Sequence, residues 1–259
     1  MNQILAALLL ATGLFIGMLL LQEIGRRIGI RRLKQDPESA KAGTGVIEGA
    51  VFALLGLLIA FTFSGAASRF EARRALIVEE TNAIGTAWLR LDLLPADTQP
   101  ALRASFRHYI ESRLEIYRKL PDIEAAKIEL AKAIRLQGEI WTQAVAASQR
   151  EGAPPAAMML LLPALNQMID ITTTRTLAIK THTPTIIFVL LFGLALTSAL
   201  LAGYSMAGGK SHSWLHILGF AAVMAVAVYM ILDLELPRLG LIRLDAFDQA
   251  LIELHQSMK

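Results

Sequence analysis

Four stretches of this chain contain no Asp, Glu, Lys or Arg at all: residues 1–22, 49–68, 181–209 and 211–232. A helix needs about 20 mostly apolar residues to cross the roughly 30 Å hydrocarbon layer of a bilayer, and each stretch reaches that length. Composition points the same way. Hydrophobic residues make up 54% and charged residues 18%, against roughly 45–50% and about 25% in an ordinary globular chain. The reading is an all-α, four-span integral membrane protein. A soluble enzyme and a disordered chain are excluded, and the absence of cysteine removes a secreted disulfide scaffold. The first stretch has no basic leader and no Ala-x-Ala site before the basic residues that follow, so it reads as an uncleaved span.

The first span, 1–22, precedes a basic loop, 23–45, with Arg26, Arg27, Arg31, Arg32, Lys34 and Lys41 against Glu23, Asp36 and Glu38. The second span, 46–68, has no stop signal at its end. Ile77, Ile84, Trp88 and Leu91 continue a helical spacing, which predicts one helix over 46–94, roughly 70 Å long. An extramembrane helical domain occupies 69–183, punctuated at Pro95, Pro121 and Pro154. Its helices carry Leu102, Phe106, Tyr109 and Ile110, then Ile128, Ile134 and Trp141, then a segment from about 156 or 164 to 180. No stretch alternates with period two. The third and fourth spans, 184–207 and 213–233, are joined by a tight hairpin and are antiparallel neighbours, with Trp214 at the interface. Residues 234–259 end in an amphipathic helix that begins at Asp245 and shows Phe247, Leu251 and Leu254.

Net charge is +3, and the 69–180 segment mixes 15 basic with 13 acidic residues. That is a solvated surface, and it argues against nucleic acid as a partner. Counting the short loops gives 23–45 plus Lys210 seven basic residues, against Arg238, Arg243 and Lys259 after the fourth span. The positive-inside rule then favours a cytoplasmic 23–45 loop and an outward-facing helical domain.

No catalytic constellation stands out, and no cofactor is implied. His212 and His216 share a helical face, but with no third ligand nearby they read as membrane-edge histidines and not as a metal site. Small residues are more informative. Gly49, Ala53, Gly56, Ala60, Ser64 and Ala67 form one stripe along the second span, and Gly13 with Gly17 makes a GxxxG in the first. Such stripes let helices approach closely in lipid, either within one subunit or between subunits around an axis. Opposite the stripe lie Leu54, Leu55, Leu58 and Phe61, and near the exit Thr62, Phe63, Ser64 and Ser68, then Arg69 and Arg73. Around a symmetry axis, Phe61, Phe63 and Ser64 would make a hydrophobic neck and Arg69 or Arg73 a basic ring. Otherwise the arginines are interface anchors. The membrane-edge carboxylates Glu48, Asp233 and Glu235 are either solvated, paired with a cation such as Arg238, or acidic rings for cations.

Two segments carry a family resemblance. Gly49-Ala-Val-Phe-Ala-Leu-Leu-Gly-Leu-Leu-Ile-Ala-Phe-Thr-Phe-Ser64 runs into Arg69-Phe-Glu-Ala-Arg-Arg and then Glu79-Glu-Thr-Asn-Ala-Ile-Gly-Thr-Ala87. After the fourth span comes Asp233-Leu-Glu-Leu-Pro-Arg-Leu-Gly-Leu-Ile-Arg. Over most of 46–259 the chain resembles the bestrophin-like family of bacterial membrane proteins, departing from a Pro-Phe-Ser-Gly pattern at Pro237-Arg-Leu-Gly. The resemblance implies a symmetric homo-oligomer in the bacterial inner membrane, conducting ions through an axial pore lined by the second span. It also implies a helical domain inside the cell, against the charge count. No acidic run suited to a calcium clasp is present, so calcium gating is not carried over. The alternative is a non-conducting membrane scaffold or sensor that binds partners through its helical domain.

Overall fold

The computed structural model describes residues 3–35, 44–208, 214–236, 238, 240–242, 244 and 248–258. Among them the regular structure is entirely helical: α1 (Gln3–Gln35), α2 (Thr44–Arg90), α3 (Gln99–Arg118), α4 (Ile123–Ser148), α5 (Pro155–Lys180), α6 (Thr185–Ser205), α7 (Trp214–Leu234) and α8 (Gln249–Ser257). Four helical stretches are long and apolar enough to cross a membrane. The chain divides into two units. The first comprises Met1–Phe70 and His182–Ile242, and the second Glu71–Thr181 and Arg243–Lys259.

In the first unit α1 packs against α6 and α7. Its buried residues Ala7, Ala11, Leu14, Met18 and Gln22 recur every three or four positions, the stripe that a helix turns toward its neighbours. Lipid tails are as apolar as leucine, so close packing has to hold such helices together. It does so through glycine. A side chain on Gly25 would collide with the Leu200 carbonyl, and one on Gly203 with the backbone of Gln22. At Gly29 an added Cβ would stand 2.5 Å from Ala207 Cβ and 2.7 Å from the Tyr204 carbonyl oxygen.

One expectation is corrected. Residues 23–35, assigned to a basic loop, continue α1. No proline or paired glycine intervenes before Pro37, and Glu23 holds Arg26 (2.9 Å) and Arg27 (2.7 Å) at helical spacing. The closest approaches of α1 to α6 fall at other glycines than the GxxxG of Gly13 and Gly17. A Cβ added at Gly13 would meet nothing in the described chain within 4 Å, and one at Gly17 would meet only Leu196 Cδ2, at 3.1 Å. Gly25 and Gly29 stand four apart inside the basic stretch.

In the second unit α3 and α4 pair, α5 packs on α4, and α8 lies on α3. Asp122 caps α4 by accepting from the Ala125 N–H at 3.0 Å. Phe106, Tyr109, Ile110, Ile140, Leu161, Leu165 and Met168 form the core with Ile77, Ile84 and Leu91 of the α2 side. Tyr109 is fully buried. Burial pushes its phenol up, while its hydroxyl accepts from Gln137 Nε2 at 3.0 Å. The C-terminal segment is tied down by Arg107, whose Nε donates to the Met258 carbonyl at 2.7 Å. The expected cap Asp245 and Phe247, together with residues 36–43, Lys210, His212 and Pro237, lie outside the described residues.

Candidate functional site

Helix α2 is where the sequence concentrated its candidates. In the first unit its inward face carries Glu48, Leu55, Thr62, Ala66 and Phe70, all buried. Phe52 packs edge-on against Phe220 with ring centroids 5.9 Å apart. Leu55 and Leu58, expected to share a face with Phe61, are turned inward or half-buried. The small-residue stripe is on the other side. Gly49, Ala53, Gly56, Ala60 and Ser64 are exposed, and nothing in the described chain lies within 4 Å of a Cβ added at Gly49 or Gly56.

Beside the stripe runs a second exposed row: Leu54, Leu57, Phe61, Ser64 and Ser68. Phe61 is 68% exposed and Phe63 45%. Two residues apart on a helix means about 200° of rotation, so these rings flank the open face from opposite sides. Phe61 belongs to the leucine row and Phe63 to the stripe side.

The ionisable candidates behave differently, because each has a partner in its own unit. Arg69 donates from Nε to Glu235 Oε1 at 3.0 Å, and from Nη2 to the same carboxylate and to Thr183 Oγ1. Thr183 in turn donates to Glu235 Oε1 at 2.7 Å, and His182 Nδ1 lies 3.3 Å from Oε2. The exit of α2, the entry to α6 and the end of α7 therefore meet at one carboxylate. Burial alone would raise the Glu235 carboxyl. Hydrogen bonds from Thr183, Arg69 and His182, with the Arg69 charge, hold it below the usual carboxylate range instead.

Asp233 is buried and accepts from the N–H groups of Leu241 (2.8 Å) and Ile242 (2.9 Å), with the Tyr229 hydroxyl donating at 3.2 Å. It anchors the turn after the fourth span, where a Cβ added at Gly240 would press against its carboxylate. Glu48 is buried and accepts from Ser205 Oγ, while its second oxygen has no hydrogen-bond partner among the described residues.

Arg73 belongs to the second unit. It is buried and donates to the carbonyls of Ala178 (3.1 Å) and Thr181 (2.7 Å), a cation on the C-terminal end of α5. Arg69 and Arg73, read as either a basic ring or interface anchors, thus direct their guanidiniums to groups of their own chain.

A further cluster escaped the sequence reading. Glu80, Arg113 and Arg175 are buried together: Arg113 reaches Glu80 Oε1 at 2.6 Å and Oε2 at 3.2 Å, and Arg175 also donates to Oε2. Both guanidiniums lie over Tyr117, at 5.9 and 5.0 Å from its centroid. Its members come from three helices far apart in sequence, so no local spacing announced it. Among the described residues no three His, Asp or Glu side chains converge as metal ligands.

Comparison with curated proteins by sequence finds no match. Comparison of structures does. A bacterial bestrophin homologue from Klebsiella pneumoniae, as a tryptophan-to-alanine variant, superposes with a TM-score of 0.70 at 16% identity, over 94% of this chain and 96% of that one. A tyrosine-to-alanine variant gives 0.70 and 16% over 94% and 98%. The structure solved by zinc phasing gives 0.68 and 17% over 94% and 97%. At such identity the likeness is one of fold. By sequence, a model of the Bestrophin-like domain matches residues 8–246, nearly the whole chain, and the protein belongs to the Bestrophin-like family.

Proposed function

We propose that the protein is the subunit of a homo-oligomeric ion channel in the bacterial inner membrane, with α2 lining an axial pore. The observation that carries this reading is the division of α2 within the first unit. Its end charges, Glu48 and Arg69, turn to groups of their own chain, while a helix-long uncharged face is left open. Glycine and alanine give nothing to a face turned toward lipid, but they favour contact between helices. The stripe of Gly49, Ala53, Gly56 and Ala60, with Phe63 at its side, suits contact with a neighbouring copy. The adjacent row of Leu54, Leu57, Phe61, Ser64 and Ser68 then faces the axis.

Such a lining narrows at the Phe61 rings into an apolar constriction that gates by dewetting. Membership of a channel family supports conduction. The paired state of Arg69, Asp233 and Glu235 argues against these groups as open charged rings. Purified protein in planar bilayers tests the reading. Single-channel currents are expected, and Phe61→Ala should hold the pore leaky, whereas a scaffold would be indifferent to that change. No current in either NaCl or KCl, together with a monomer by mass photometry, overturns it.

A further inference from the structure

Helix α1 is longer than its task of crossing the membrane requires. Its 33 residues extend about 50 Å, against a hydrocarbon layer of roughly 30 Å. Its contacts with α6 set where the excess lies. Gly17 faces Leu196, Gly25 faces Leu200, Gly29 faces Tyr204 and Ala207, and a Cβ added at Gly208 would stand 3.9 Å from Leu33 Cδ1. The two helices therefore run parallel, and the last turns of α1 are level with the end of α6 at Ser205 and its 3-10 turn, Met206–Gly208. The chain re-enters the apolar layer with α7 at Trp214, which is 63% exposed, as an interfacial aromatic would be. Residues 27–34 consequently stand at headgroup depth.

The side chains on the free flank of α1 change character at that level. Ile16, Leu20 and Ile24 are exposed and lie four apart on one face. The same face continues through Arg27, Arg31 and Lys34, also exposed. Arg26 and Arg32 lie on neighbouring faces of these turns. The acidic residue of the stretch, Glu23, is held by Arg26 and Arg27 at the foot of the basic row.

We propose that this face of α1 binds an anionic phospholipid, with Arg27, Arg31 and Lys34 on the headgroup phosphate and Ile16, Leu20 and Ile24 along an acyl chain. Guanidinium and ammonium donors match phosphate oxygens, and the basic row begins where the apolar row ends. A soluble polyanion would have no use for the apolar half of the stripe. A zwitterionic lipid would have less use for the net charge.

Full-length protein is reconstituted into vesicles of equal parts phosphatidylglycerol and phosphatidylcholine, extracted into mild detergent, and its retained phospholipid counted by native mass spectrometry. Wild type is expected to retain phosphatidylglycerol preferentially. Arg27→Gln, Arg31→Gln and Lys34→Gln combined should lose that preference, at about fivefold per basic residue and on the order of 100-fold in all. Glutamine keeps helix propensity at these exposed positions. A matched variant that removes Arg118, Lys127 and Lys132, exposed cations of the second unit, should keep the preference. Equal retention of both lipids by wild type overturns the proposal whether or not the variants fold. So does an equal loss in the matched variant, or an undiminished preference in the α1 variant.

Discussion

Helices α1 and α2 begin from the same kind of sequence, an uncharged run with glycines four or seven apart and a basic continuation, yet they meet opposite fates. In α1, Gly25 and Gly29 are pressed against α6, to the point that a methyl group would strike its backbone. In α2, Gly49 and Gly56 face open space. A small-residue stripe states that a backbone can be approached closely, and it does not say by what. For α1 the answer lies in the same chain. For α2 the reading proposed above puts it in a second copy.

Substitutions can break this contrast or sharpen it. The largest effect is expected at Gly25→Leu, where the collision is with the Leu200 carbonyl and not with a flexible tip. Overpacking there should cost about 3 kcal/mol or more, seen as loss of monodisperse protein in size-exclusion chromatography. Next comes the far half of α2, which unlike the membrane half is locked by Glu80. Glu80→Gln leaves Arg113 and Arg175 buried without their carboxylate and should cost about 3–5 kcal/mol, measured by denaturant unfolding through tryptophan fluorescence.

The exit of α2 is held less tightly. Glu235→Gln should cost about 1–2 kcal/mol, because hydrogen bonds to charged groups are strong but the Arg69 side chain is 28% exposed and partly screened. Since the Glu235 carboxyl is held below its ordinary range, its contribution is complete above that range and lost as pH falls through the folded-state value. The wild type and the variant should therefore differ at neutral pH and converge in acid, as thermal unfolding at a series of pH values would show. The smallest effect on the protomer is expected at Gly56→Leu, within about 0.5 kcal/mol. The same change should lower the assembled mass by mass photometry, and an unchanged mass would erase the contrast between the two helices.

Much of the fold was legible because burial in lipid leaves a local mark. Each span declares itself by excluding charge over about 20 residues, and Pro95, Pro121 and Pro154 fall between helices of the second unit. The reach of α1 is less legible because a run of basic residues resembles a loop, although a helix needs only the absence of a breaker. The site was less legible. Phe61 and Ser64 are found on the open face, but Phe63 falls on its other flank, a consequence of helical rotation already implicit in their spacing. The partners of Arg69 and Glu235, 166 positions apart, had no local signature.

What the sequence determined by itself was the kind of solvent each segment requires: four uncharged stretches for lipid, and amphipathic helices with mixed charge for water. Those preferences are properties of single residues summed over a window, so no partner needs to be known. Tertiary structure decided which face of each helix is used and which charge meets which. Arg69, Arg73, Glu80, Asp233 and Glu235 are all ionisable residues of apolar or buried surroundings, and the chain alone marks each only as expensive to bury. Whether such a group is an open ring or a closed pair depends on a group brought to it by folding. Here folding supplies Glu235 to Arg69, the end of α5 to Arg73, two arginines to Glu80 and a backbone turn to Asp233.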